Sequence, residues 1–236
     1  MRILLKFGLS CTLIFSMLAF CVGIAWASND IESSQIDAGI KEPIALELRQ
    51  ADSAAVSRAS AIFAGGCFWC MESPYDKLEG VLSTTSGYTG GQLKNPSYKQ
   101  VSAGNSGHIE ALQVVYDPSK ITYQQLLEVF WINIDPLDGG GQFCDRGSQY
   151  TAAIFYADDL QRQGAQDSLV ALVDTAMFEQ PIQTKIIAAS QFYPAESYHQ
   201  NYYQRNPVRY KYYRWNCGRD QRLQALWGKK SASQQH

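Results

Sequence analysis

The chain has 236 residues, 46% of them hydrophobic, and a formal net charge of −2. That is enough apolar side chain to bury one full core, and too little charge of either sign to favour nucleic acid or an anionic membrane as a partner. Its three histidines and six cysteines do not fall at zinc-finger spacing, so no metal site is expected.

The chain opens as an export signal. Arg2 and Lys6 form a basic start, Phe7 to Trp26 is almost wholly apolar, and Ala25-Trp26-Ala27 has the small-x-small form of a cleavage site. Residues 1–27 are expected to be removed on export, to a periplasmic or secreted destination. An uncleaved anchor over 7–26 is the alternative, and the only source of membrane contact. Cys21 follows bulky Phe20, unlike a lipoprotein processing site. Cys11 and Cys21 would leave with the signal. Residues 28–59 are polar and expected as a linker or arm, with a short helical turn over Ile44 to Leu48. Residues 60–229 form one catalytic domain, and residues 230–236 a disordered tail.

The domain begins with the apolar run Ala61–Ala64, a buried strand, broken by Gly65-Gly66. The two glycines present Cys67-Phe68-Trp69-Cys70 on a strand-to-helix turn, where a helix N-terminus lowers a thiol's pKa and makes it nucleophilic. The adjacent rings make an apolar wall, and Cys70 is a second thiol at CxxC spacing. Ser73-Pro74 reads as a helix start, with Ser73 as N-cap and the helix near Pro74 to Glu79. The stretch from Cys67 to Glu72 is then an irregular first turn.

Val81 to Tyr88 reads as a strand and Thr89 to Gly107 as a long loop. Ile109 to Tyr116 alternates as a strand and stops at Asp117-Pro118. Thr122 caps a helix carrying Leu126, Leu127, Val129 and Phe130. Asp135 to Tyr150 is a second glycine-rich loop, and Thr151–Tyr156 a strand. A helix from Asp158 to about Phe178 buries Leu160, Leu169, Leu172 and Val173. Lys185–Ala189 is a strand, Glu196 to Arg205 is helical and aromatic-rich, and Leu223 to Trp227 is a last short helix. Strands and helices interleave without a strict βαβ rhythm, which predicts an α+β fold: a two-layer mixed sheet with packed helices.

Taken alone, Glu110 reads as a solvated edge carboxylate. Tyr98, Asp145 and Tyr150 read as loop residues, and His108 and His199 as structural. The ordered set of motifs changes this. Gly66-Cys67-Phe68-Trp69, Gly87-Tyr88-Thr89-Gly90-Gly91, Asn95-Pro96-Ser97-Tyr98, Gly107-His108-Ile109-Glu110, Tyr116-Asp117-Pro118, Asp145-Arg146-Gly147-Ser148-Gln149-Tyr150 and Ala195-Glu196…His199-Gln200 together resemble peptide methionine sulfoxide reductase, type A. The likeness runs from about Ala61 to Trp227.

The resemblance implies reduction of methionine S-sulfoxide, free or in oxidised proteins and peptides, by one chain acting as a monomer with no bound metal or organic cofactor. Cys67 is then the nucleophile. Glu110 is the acid on the sulfoxide oxygen, and Tyr98 and Tyr150 bond the same oxygen. Phe68 and Trp69 hold the substrate methyl group, and Asp145 contacts substrate or orders the pocket. A thioredoxin-like protein supplies electrons. The recycling cysteines depart from the family's glycine-rich tail. Cys70 is the expected resolver, Cys217 the alternative and Cys144 a third. A Cys144–Cys217 disulfide, structural or a secondary relay, is a separate expectation. A thioredoxin-like disulfide oxidoreductase and a scaffold with structural thiols are the rival readings of the same CxxC.

Overall fold

The computed structural model describes residues 57–228. The expected signal at 1–27, the arm (28–59, save its last three residues), the turn over Ile44 to Leu48 and the tail at 230–236 lie outside the described residues.

Six strands form one sheet in the order β7-β6-β1-β3-β2-β8. They are β1 (Ala59–Gly65), β2 (Val81–Thr89), β3 (Ile109–Tyr116), β6 (Ala152–Tyr156), β7 (Lys185–Ala188) and β8 (Tyr193–Pro194). β6 and β7 run parallel and the other neighbours antiparallel, so the sheet is mixed, as expected. Two short strands, β4 (Gly141–Gln142) and β5 (Asp145–Arg146), pair within the second glycine-rich loop, followed by a 3-10 turn over Ser148–Tyr150.

Strand alternation sorts the sheet's two faces. Phe63, Leu112, Val114 and Ile154 enter the main core with α1 (Phe68–Asp76), α3 (Tyr123–Ile132), α4 (Asp159–Asp174) and α7 (Arg219–Trp227). There Phe63 stacks on Tyr75 and Phe130, each at 5.4 Å between centroids. Ala64, Ala111, Ala153 and Phe155 form a smaller cluster on the opposite face. Thr122 caps α3 through a reciprocal pair of bonds with Gln125, a box that contributes about 1 kcal/mol.

Several expectations are corrected. α1 is one continuous helix from Phe68 with Cys67 as its N-cap, and Pro74 lies inside it. Proline there gives up the bond that residue 74 would make to the Cys70 carbonyl and crowds that carbonyl, at a cost of about 3 kcal/mol, and the ring is buried against the domain. The first long loop contains a helical turn, α2 (Tyr98–Ser102), with a Ser97–Gln100 capping box. In α4, Leu160 and Val173 are exposed, while Ala165 and Ser168 take the buried positions. The stretch from Glu196 to Arg205 is helical only over α5 (Tyr202–Arg205). An unforeseen helix, α6 (Pro207–Asn216), follows it.

Candidate active site

Cys67 sits just past the central strand β1. Gly66 holds φ +79°, and a Cβ there would lie 2.6 Å from Gln142; a Cβ on Gly65 would strike Met71. Both glycines are therefore required, one for the turn and one for close approach. A cavity of about 70 Å³ opens beside the thiol, lined by Cys67, Phe68, Trp69, Tyr98, Glu110, Asp145, Tyr150 and Tyr213. Seven of these eight were expected from the sequence; Tyr213 was not.

Glu110 is paired with Tyr88 across β3 and β2 and shares the face of Leu112 and Val114. Alternation thus aims it beneath α1 rather than at solvent, and the residue is 2% exposed. It accepts the backbone N–H of Phe68 at 3.2 Å. Burial raises its carboxyl to about 8, outweighing that hydrogen bond. At neutral pH it is a carboxylic acid held against the residue that follows the nucleophile. Tyr98 and Tyr150 are hydrogen-bonded to each other, and burial raises both hydroxyls, so both remain donors at working pH.

The expectation that the helix N-terminus depresses the Cys67 thiol is not met. Burial first, then the hydrogen bond with Cys70 and the nearby carboxyls of Glu110 and Asp145, push it up. The lowered thiol is Cys70, by its hydrogen bond from Cys67 and by the charges of Arg219 and Arg214, against burial. Both thiols are free and buried. The Cys70 N–H donates to the Cys67 carbonyl at 3.0 Å, so the pair occupies a single turn.

A supporting layer was not foreseen. Glu196 accepts the Tyr98 N–H at 2.8 Å and the Tyr88 hydroxyl at 2.9 Å. The Gln200 side chain bonds both the N–H and the carbonyl of Ser86 at 2.9 Å, extending the β2 edge that β8 begins. His199 accepts the Trp69 indole N–H at 3.1 Å on Nδ1 and packs on Phe68 and Tyr98. Trp69 stacks flat on Tyr202 at 3.7 Å. The Tyr213 hydroxyl donates to Asp145 at 2.5 Å. His108 is structural, as expected: its ring joins the Leu93 carbonyl to the Gly91 N–H.

Cys144 and Cys217 form a disulfide with Cα atoms 4.9 Å apart, one of the pairings expected. Cys144, Asp145 and Cys217 are also the one cluster of potential metal ligands among the described residues. Joined in a disulfide, the two sulfurs offer no thiolate to an ion.

Comparison with known proteins identifies the family. The family model described as peptide methionine sulfoxide reductase matches residues 59–231. Peptide methionine sulfoxide reductase MsrA of Bacillus licheniformis is 49% identical over 180 residues, covering 76% of this chain and 99% of the relative. That of Bacillus subtilis is 48% identical over 170 residues, covering 72% and 96%. Among solved structures, reduced Mxr1 from Saccharomyces cerevisiae superposes with a TM-score of 0.61 at 30% identity, covering 65% of this chain and 88% of that one. Methionine sulfoxide reductase A of Corynebacterium diphtheriae gives 0.59 at 30% identity, covering 66% and 78%.

Proposed function

The chain belongs to the peptide methionine sulfoxide reductase family, and from that premise we propose how its own residues reduce methionine sulfoxide to methionine. The membership sets aside both rivals, the disulfide oxidoreductase and the scaffold. The observation that carries the reading is the convergence of one thiol, one neutral carboxyl and two tyrosine hydroxyls on a single small cavity.

The Cys67 sulfur attacks the sulfoxide sulfur. An electron pair passes from the thiol sulfur to the substrate as the sulfoxide S–O bond breaks. Glu110 protonates the departing oxygen and takes up the Cys67 proton, ending as the acid it began as. Tyr98 and Tyr150 bond the oxygen while its charge grows. Phe68 and Trp69 enclose the methyl group, and Asp145, held by Tyr213, orders the opposite wall. The hydroxide released from the substrate adds to the Cys67 sulfur as the bond between Cys67 and the substrate sulfur breaks; that electron pair leaves with methionine, and Cys67 is a sulfenic acid.

Cys70 then attacks that sulfenic sulfur, forming the Cys67–Cys70 disulfide and releasing water. Residues three apart in one helical turn lie within disulfide reach. A thioredoxin-like dithiol reduces the bond by exchange. The thiols carry both electrons, so no bound metal or organic cofactor enters the cycle.

The test is single-turnover reduction of the two methionine sulfoxide epimers by fully reduced enzyme. Consumption of the S epimer alone, with two thiols lost per methionine formed, is the expected result. No methionine from folded, reduced protein would refute it. The basic start, apolar run and Ala25-Trp26-Ala27 support export to the periplasm or medium. Recovery of the protein in the cytoplasmic fraction with Met1 intact would overturn that.

A further inference from the structure

Arg219 opens α7 directly after Gly218 and is 1% exposed, the largest of the fully buried side chains. Its Nη2 donates to the Gly65 carbonyl at 3.2 Å and to the Asn133 carbonyl at 2.6 Å, and lies 3.2 Å from the Met71 sulfur. Gly65 closes β1 two residues before Cys67, and Met71 directly follows Cys70. One guanidinium therefore brackets the nucleophile segment at both ends. Its plane also lies 4.4 Å over the Phe143 ring.

None of the ion pairs among the described residues includes Arg219, and its Nε has no partner. A buried cation without a carboxylate is costly, several kcal/mol even after relaxation. A neutral donor could bond two carbonyls at lower cost. Asp145 feels this charge without pairing to it, and Cys70 is the thiol whose ionised form both arginines favour. Arg214, on α6, adds a second charge from a side chain 11% exposed and paired to Asp220. The groups facing the thiol pair are Tyr98 from α2, Glu110 from β3, Asp145 from β5, Tyr210, Tyr213 and Arg214 from α6, and Arg219 from α7. Glu110 and Asp145 raise Cys67, while the two arginines lower Cys70 against an opposing Asp145.

We propose that Arg219, supported by Arg214, is the positioning residue of the resolving step: it clamps the segment from Gly65 to Met71 and presents Cys70 as the thiolate that attacks the Cys67 sulfenic acid. The electron pair on Cys70 forms the S–S bond and the Cys67 S–O bond breaks. The leaving hydroxide takes a proton from Glu110 and departs as water, and Glu110 regains a proton from solvent. The proposal rests on Cys70 being the resolver.

The experiment follows two rates in one mixing of pre-reduced full-length enzyme with methionine S-sulfoxide. Methionine formation reports the first step; disappearance of dimedone-trappable sulfenic acid reports the second. Arg219→Met should slow resolution about tenfold more than methionine formation and move the pH midpoint of resolution upward, since fewer thiols are ionised. Arg219→Lys should restore part of both. If Arg219→Met does not fold, Arg214→Gln carries the test, with a shift of the same sign and about threefold. Unchanged resolution in a folded variant would overturn the proposal. So would equal slowing of both steps that Arg219→Lys does not relieve, which marks a purely structural role. Cys70→Ser isolates the premise: if it still forms a disulfide to Cys67, the resolver assignment fails, whatever the arginine variants do.

Discussion

Glu110 accepts the backbone N–H of Phe68 at 3.2 Å, so the acid is tied through one hydrogen bond to the residue next to the nucleophile. The bond favours the carboxylate, yet burial wins and leaves the group neutral to about pH 8. Reduction should therefore hold steady through neutrality and fall as pH rises past about 8, when the proton needed by the sulfoxide oxygen is lost. Glu110→Gln keeps a neutral side chain but has no proton to give. Single-turnover methionine formation should drop by about 10²–10⁴, with an unchanged circular dichroism spectrum and no remaining fall near pH 8. A full first-turnover rate in this variant would remove Glu110 from the mechanism.

Two thiols in one turn divide the cycle cleanly. Cys67→Ser should form no methionine at all. Cys70→Ser should form one methionine per enzyme and then stop, leaving a dimedone-reactive sulfenic acid on Cys67. Mass spectrometry of the quenched protein reads both outcomes. Repeated turnover by Cys70→Ser would return the resolving role to another cysteine.

The Trp69 wall is held by an acceptor that protonation removes. His199 can accept the indole N–H on Nδ1 only while that nitrogen is unprotonated, and burial lowers the imidazole's pKa. The wild type should bind substrate with constant affinity down through mildly acidic pH and lose affinity only below the histidine's lowered pKa. His199→Phe keeps the ring packing but leaves the indole N–H unpaired, a loss of about 1–3 kcal/mol. KM should rise severalfold at all pH with a smaller change in kcat. A KM equal to wild type would show that the stack on Tyr202 fixes the indole unaided.

These residues differ in how far sequence alone discloses them. β3 was read with its observed bounds because Ile109 to Tyr116 alternates and a proline turn ends it. Glu110 read as solvated because its acidity depends on which face of β3 meets α1, a tertiary fact. Ser73-Pro74 carried a helix-start signal that burial of Pro74 inside α1 overrode. α6 escaped notice because Pro207–Asn216 presents polar and aromatic residues with no apolar period. Tyr213 gains its place in the pocket only by meeting Asp145, 68 residues away. The motif from Ala195 to Gln200 was visible, but its work lies in Glu196 and Gln200 bonding the backbones of Tyr98 and Ser86.

The Cys144–Cys217 disulfide stands on both sides of that wall. Cys144 precedes Asp145, and Cys217 follows Tyr213 and Arg214 and precedes Arg219, closing a separation of 73 residues. Its position fits a brace, and peptide mapping of the non-reduced protein should find the pair linked. Removing both sulfurs as Cys144→Ser with Cys217→Ser should cost about 2–4 kcal/mol by freeing the unfolded chain, which lowers the thermal midpoint by about 5–15 °C. A relay predicts a different result. If the pair passed electrons to Cys67 and Cys70, the double variant would keep its first turnover but stop recycling with a protein dithiol donor. The brace predicts continued recycling with that donor at a temperature where the variant is folded. Steady-state turnover of the double variant, measured well below its lowered midpoint, decides between them.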